Sequence, residues 1–358
     1  MEVIITNTLY IINQNIFATI LIMTLKTSDF DYELPLDQIA QSPALPRESA
    51  KLMIVDRTSG KLIHKHIADF PAYLKMGDIL VVNNTKVFHA RLKGTLDTGK
   101  SVELFLIRPT ANNMWQAIGK PGKKLLPGTR VTVARDFIAT IKEKHPDGTL
   151  LVLFELPKDD VVDLANKFGK VPVPPYIKKI PKDSDYQTVY AKFTGSVAAP
   201  TAGFHLTCPL LKKIKDKGVE ILEITLHVGL GTFMPIKSDT LDTHTMHSEW
   251  VEVKPDVSRK ILAAKSEGRR IVAVGTTTVR TLEGTGAKPY TGDVNLFIQP
   301  GYKFRVVDAM LTNFHLPKST LIVLVSSFAG RKLILKAYNE AVVNKYRFYS
   351  FGDAMFIV

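Results

Sequence analysis

The segment "THTMHSEW" (243–250) sets His244, His247 and Glu249 almost side by side. Two imidazoles and a carboxylate at this spacing can bind a metal, move protons, or form an ordinary polar loop. They lack the i, i+4 spacing by which a helix presents two metal-binding histidines, although a loop can also assemble ligands. "TLHVGLGTF" runs from an apolar strand through His227 into Gly229, Leu230, Gly231 and Thr232. Glycines at a strand end let backbone N–H groups approach a ligand, or simply make a tight turn. "IVAVGTTTVRTLE" breaks a strand at Gly275 and opens a helix on Thr276, Thr277 and Thr278. Free N–H groups and hydroxyls at a helix start suit a phosphate or a carboxylate, or serve only as an N-cap. This stretch does not contain G-x4-G-K-[ST], so it is not expected to act as an NTP-hydrolysing P-loop.

Two more stretches carry unusual chemistry. "GSVAAPTAGFHLT" (195–207) is a run of small residues ending at His205. Such a run makes poor core and better sense as a pocket lining. "MLTNFHLPKSTL" (310–321) places Asn313 and His315 before a helix that Pro317 starts. An amide beside an aromatic ring suits a planar base, and Asx capping is the plainer reading. "VVNNTKVFHARLKG" offers Asn83, Asn84, Lys86, His89, Arg91 and Lys93 around Phe88. Amides, cations and an aromatic in one strand suit RNA contact, as does any solvated strand face.

The elements that must position these residues fall into two patterns. From 76 to 158, short alternating runs such as "SVELFLIRP" and "TRVTVARD" are separated by "DTGK", "KPGKKLLPG" and "HPDG". Closely spaced strands with Gly, Pro and Asp turns predict a small antiparallel β-barrel. The remainder alternates strands ("VEILEITLHVG", "RRIVAVG") with helices ("CPLLKKIKDKG", "PDVSRKILAAKSEG", "TTTVRTLEG", "KSTLIVLVSSFAG", "KLILKAYNEAVVNKY"). That alternation predicts an α/β domain built from both chain ends, 23–75 plus 159–358, with the barrel inserted. "GKVPVPPYIKKIPKD" (169–183) reads as a stiff basic connection carrying Lys178, Lys179 and Lys182.

Composition narrows the partners. Charged residues are 23% and hydrophobic residues 45% of 358, as in a soluble globular enzyme. The formal charge of +13 favours a polyanion, nucleic acid ahead of an anionic membrane. The barrel stretch holds 13 Lys and Arg against 7 Asp and Glu, so it shares in that excess. A single cysteine, Cys208, excludes an internal disulfide framework and fits a reducing cytoplasm. Residues 1–22 are apolar but contain no Lys or Arg, unlike a secretory signal. Thr, Asn and Gln interrupt them, unlike a membrane span. They read as a non-native or disordered extension before Met23.

Together the blocks "SDFDYELP", "IAQSPALPRESAKL", "ILVVNNTKVFHARLKG", "YQTVYA", "GSVAAPTAGFHLT", "ITLHVGLGTF", "HTMHSEW", "VGTTTVRTLE" and "VVDAMLTNFHLPKSTL" resemble the S-adenosylmethionine:tRNA ribosyltransferase-isomerase family of queuosine biosynthesis. The resemblance spans about 28–330 and implies an α/β domain with a β-barrel. It further implies transfer of the ribosyl part of S-adenosylmethionine, a co-substrate, onto 7-aminomethyl-7-deazaguanine at the tRNA wobble position. Adenine and methionine leave, and epoxyqueuosine-tRNA results. It implies no metal, so proton handling or base recognition becomes the preferred role for the "HTMHSEW" segment. A sulfonium acidifies its adjacent 5′ carbon, so a base is needed. His205, His227, His247, Glu249 and His315 are the candidates. The donor is expected on Gly229, Gly231, Thr232, Thr276, Thr277 and Thr278. The tRNA is expected on Arg47, Asn83, Asn84, Arg91, Lys178, Lys179, Tyr186, Gln187 and Asn313. Met234 and the "KDSD" of 182–185 depart from the family pattern, which puts a substrate contact in doubt at each.

Two rival readings are a metal-dependent hydrolase on the histidine segment and an RNA-binding protein without catalysis. A monomeric cytoplasmic protein with no membrane association is expected. A chain begun at Met23 should fold and act like the full chain, with circular dichroism and turnover as the checks. Loss of either would show that 1–22 is needed.

Overall fold

The computed structural model describes residues 25–110, 113–179, 181–229 and 236–358. Its first strands are β1 (Lys51–Val55), β2 (Leu62–His66), β3 (Ile79–Asn83) and β4 (Thr85–Val87). Next come β5 (Arg91–Leu96), β6 (Ser101–Pro109), β7 (Met114–Lys120), β8 (Arg130–Ala134), β9 (Phe137–Lys144) and β10 (Leu150–Phe154). Helix α1 (Lys158–Phe168), β11 (Phe193–Ser196), α2 (Cys208–Asp216), β12 (Glu220–Leu226) and β13 (Glu249–Val253) follow. The chain continues through α3 (Pro255–Ser266), β14 (Ile271–Val274), α4 (Thr276–Thr285), β15 (Tyr290–Val294) and β16 (Ala309–Asn313). It ends with α5 (Thr320–Ala329), α6 (Arg331–Val343) and β17 (Ala354–Ile357).

Nine strands form one sheet in the order β15-β13-β12-β3-β14-β16-β17-β1-β2, drawing on both ends of the chain. The inner strands β12, β3, β14 and β16 run parallel. Helices cover both faces, so these strands are continuous apolar runs rather than alternating ones. Ile79 and Val81 face one core with residues of α3 to α6. Leu80 and Val82 face the other with Leu210 and Ile214 of α2.

Strands β5 to β10 close into a separate antiparallel barrel in the order β10-β7-β6-β5-β8-β9. The inserted-barrel architecture is therefore present, but its expected limits of 76 and 158 need correction. "ILVV" is the inner strand β3 of the large sheet, buried at every position. A short apolar run between turns has no period of its own and fits a buried parallel strand as well as a barrel strand. At the other end, Val161 and Ala165 of α1 pack into the barrel core, so α1 belongs with the barrel.

Helix α4 is tied to the approach of β16 by one carboxylate. Glu283, nearly buried, accepts backbone N–H bonds from Arg305, Val306 and Val307 and the Tyr302 hydroxyl. Glu283→Ala should strand three N–H groups and cost roughly 3 kcal/mol or more. A lower urea midpoint would show this; an unchanged midpoint would contradict it.

Candidate active site

Because β12, β3, β14 and β16 run parallel, their carboxyl ends share one edge of the sheet, the usual ligand side of such a layer. A pocket opens there with ≈ 570 Å³ of free space, counting the part open to solvent. Val228 lines it just beyond β12, Gly275, Thr276 and Thr277 beyond β14, and Asn313 and His315 at the end of β16. The small-residue stretch supplies Ala199, Pro200, Thr201 and Ala202. Tyr176, Phe314, Tyr349 and Ser350 complete much of the wall. Three stretches with the chemistry read from sequence therefore converge on one cavity. Gly275 caps α4 with φ +85°, a backbone shape that suits glycine and turns the helix start into the pocket. Among the described lining residues there is no Asp, Glu, Lys or Arg.

The polar wall is held in a fixed orientation. Asn313 Nδ2 lies 3.3 Å from His205 Nε2 and donates to the Asp353 carbonyl at 3.3 Å. Those two acceptors leave Asn313 Oδ1 to accept from the Thr201 hydroxyl at 2.9 Å. His315 lines the pocket and shares a 2.9 Å bond between Nε2 and the Thr312 hydroxyl. Burial pushes the pKa of His315 down to about 3. His205 is also pushed down to about 3, by burial and then by the charges of Arg47 and Arg347. Both rings are neutral at neutral pH. Of the helix-start threonines, Thr278 is turned away and donates to Val274 O.

The other expected proton carriers lie elsewhere. His227 is absent from the described pocket wall; its ring stacks on Trp250 at 5.0 Å and its Nδ1 meets the Thr85 hydroxyl at 2.8 Å. Gly195 lies against the same ring so closely that a Cβ there would come within 2.6 Å. Burial, with a smaller effect of Lys158, lowers the His227 pKa to about 4. Glu249 is buried at the start of β13, paired with Arg280 of α4 and accepting the Gly229 N–H at 3.1 Å. That N–H is thus taken by protein. Gly231, Thr232 and Met234 lie outside the described residues. His247 is exposed, and His244 packs edge-on against Phe297 at 5.2 Å. The histidine segment and Glu249 therefore do not form one constellation, and no group of three His, Cys, Asp or Glu among the described residues is placed to hold a metal.

Several expected RNA contacts are internal instead. Asn83 is buried and brackets Leu226 N and O, latching β3 to β12. Asn84 is buried between Thr225 and Glu223. Phe88 and Tyr186 are core side chains, and Gln187 clamps both backbone groups of Val87. These amides and rings follow strand edges, which sequence alone does not distinguish from a solvated face. Arg91 pairs with Glu103 on the barrel surface, and Lys178 and Lys179 are exposed. Arg47 braces carbonyls of Phe204, Ser184 and Asp185. Within the 182–185 departure, Asp183 pairs with His89 at 3.0 Å on the surface. Sequence reading missed Tyr349 and Ser350, which carry no motif of their own, and passed over Tyr176 and Arg280 inside stretches singled out for other residues.

The three depressed histidines make a stability prediction. Unfolding restores each to near 6.5, so their contribution is fully present above about pH 6.5 and lost as pH falls through about 4 and 3. Near pH 5 the unfolded chain should hold almost three more protons on these groups, a slope of roughly 4 kcal/mol per pH unit. Unfolding free energies that are equal at pH 7 and pH 5 would contradict the burial of these rings.

Comparison with known proteins agrees with this architecture. Residues 27–357 match the family profile described as "Queuosine biosynthesis protein". An S-adenosylmethionine:tRNA ribosyltransferase-isomerase from Desulfitobacterium hafniense is 47% identical over 342 residues, covering 93% of this chain and 100% of that protein. One from Thermotoga maritima is 46% identical over 338 residues, with the same coverage. The crystal structure of S-adenosylmethionine tRNA ribosyltransferase from Thermotoga maritima matches with a TM-score of 0.54 and 37% identity, over 92% of this chain and 100% of that one. With the match running from Thr27 to Ile357 through both the barrel and the pocket-bearing sheet, the chain belongs to the queuosine biosynthesis family of S-adenosylmethionine:tRNA ribosyltransferase-isomerases.

Proposed function

We propose that the protein transfers and isomerises the ribosyl part of S-adenosylmethionine onto 7-aminomethyl-7-deazaguanine at the tRNA wobble position, releasing adenine and methionine. The observation that carries this reading is the convergence of the 199–202, 275–277 and 313–315 segments on one pocket, in a chain 93% of which aligns with the full length of named members of the family. Thr276 and Thr277 present the start of α4 to the donor, and Thr201 presents an oriented hydroxyl. Tyr176, Phe314 and Tyr349 give the same cavity aromatic walls, where a cation such as a sulfonium is tolerated against ring faces. The enzyme acts as a cytoplasmic monomer and needs no metal. Among the described residues searched, no helix is long and apolar enough to cross a membrane.

The reaction needs a base for a proton on the carbon beside the sulfonium. Of the five candidates, His315 is the one on the pocket wall. Its low pKa keeps the ring unprotonated at neutral pH; burial also weakens it as a base, so the case for His315 is its position on the wall. Glu249 is bound to Arg280 and Gly229, which suits positioning of the strand end and not proton transfer. His227 is given the same supporting role by Thr85 and Trp250.

Purified protein with S-adenosylmethionine and tRNA bearing the precursor base should release adenine and methionine in equal amounts. No adenine release would overturn the assignment. His315→Gln can keep the bond to Thr312 and should lower kcat by about 10²–10⁴-fold, with tRNA affinity preserved. Solvent deuterium exchange at the 5′ carbon should slow in parallel. Unchanged kcat would move the base away from His315.

A further inference from the structure

A second, shallow cleft, ≈ 220 Å³ counting the part open to solvent, shares Ser350 with the main pocket. Its lining includes Pro43, Ala44, Arg47, His205 and Gly352. We propose that this cleft takes a backbone phosphate of single-stranded RNA next to the nucleotide that enters the main pocket. The inference rests on the tRNA reading above and extends it to a place on the molecule.

The chemistry of the cleft is that of an anion site. Arg47 lines it. Arg347 flanks it by donating to the carbonyl of Ser42, one residue before the cleft wall. Both guanidinium groups are close enough to His205 to act on its charge. Lys178 and Lys179 are exposed on the neighbouring connection, which is fastened there by the Lys178 N–H to Gln41 Oε1 at 2.8 Å. The opposing carboxylates are few. Asp185 stands 3.8 Å from Arg47 at the rim. Asp353 is buried and already accepts the N–H groups of Lys51 and Arg347. No carboxylate is among the described residues that line the cleft.

His205 adds a neutral donor. With Nε2 beside the Asn313 amide N–H, the ring proton resides on Nδ1. Among the described residues, that nitrogen makes no hydrogen bond. Leu45 is 85% exposed at the rim. Cations beside an exposed apolar side chain match a nucleotide, whose phosphate and base ask for different surfaces. The main pocket has no charged side chain among its described lining residues, so the phosphates flanking the modified nucleotide must be neutralised outside it.

Arg347→Ala is the direct test, because its guanidinium braces a surface carbonyl rather than the core. Arg347→Ala/Lys178→Glu strengthens it. Binding of a labelled anticodon stem-loop RNA is followed by anisotropy across salt concentrations, with S-adenosylmethionine binding followed by calorimetry. Arg347→Ala should weaken RNA binding about 10-fold at low salt and reduce the log–log salt slope by about 0.7–0.9. The double variant should lose more, and both should bind S-adenosylmethionine as the wild type does. Wild-type RNA affinity and slope in the double variant would overturn the proposal, and so would a parallel loss of S-adenosylmethionine binding. Adenine release by the wild-type enzyme tests the catalytic reading separately. A positive result there with an unchanged salt slope would remove only the phosphate site.

Discussion

The amide of Asn313 joins segments that are far apart in the chain. It ends β16, accepts from Thr201, and directs its N–H groups to His205 and to the carbonyl of Asp353. One side chain therefore ties the small-residue stretch, the sheet edge and the start of β17. A buried amide has fixed numbers of donors and acceptors, and leaving one unmade costs more than making it gains. With both acceptors of Nδ2 supplied by protein, the Thr201 hydroxyl has its proton directed inward and its lone pairs left for the cavity. The pocket wall thus has a defined hydrogen-bond polarity before any ligand arrives. The same satisfaction argues against Asn313 as a base reader, the role its position in the sequence suggested.

Around this amide the fold uses carboxylates as struts. Glu283 gathers three backbone N–H groups ahead of β16, and Glu249 holds Arg280 and Gly229 together between α4 and the end of β12. A buried ion pair is weak evidence for net stability, because desolvation offsets much of the attraction. Removing one partner is costly all the same, since the other is left as an uncompensated buried charge. Such pairs serve location more than strength. Both of these meet at α4, the helix whose start forms one wall of the pocket.

The sequence made the architecture legible where patterns were long. Strands β12 and β14 and the helix starts at Pro255 and Thr276 appear as expected, whereas strand β13 at Glu249–Val253 was not read from the sequence. Barrel limits were less legible, because "ILVV" carries no alternation and its fully buried setting depends on distant β12 and β14. Tyr349 and Ser350 reach the pocket from a turn after α6 that has no recognisable pattern. Histidine roles were the least legible. His227, His205 and His315 occupy equally suggestive stretches, yet only their partners in space separate a packed ring from a pocket wall. Family resemblance supplied the reaction; it did not supply this sorting.

Charge is then distributed in a way the total of +13 conceals. No charged side chain is among the described residues lining the main pocket, and its one imidazole is held neutral by burial. Positive charge is instead on its margins, at Arg47, Arg347, Lys178 and Lys179. A cationic donor would be repelled by lysine or arginine in the cavity, and a polyanionic partner would be repelled by carboxylates around it. Neutral chemistry inside a basic rim satisfies both substrates at once, because low polarity within the pocket strengthens each directed hydrogen bond while the rim attracts phosphate over a longer range. The hydrogen-bond chain from Thr201 through Asn313 to His205 is the wall between these two environments, so its neutrality is a condition for keeping them apart.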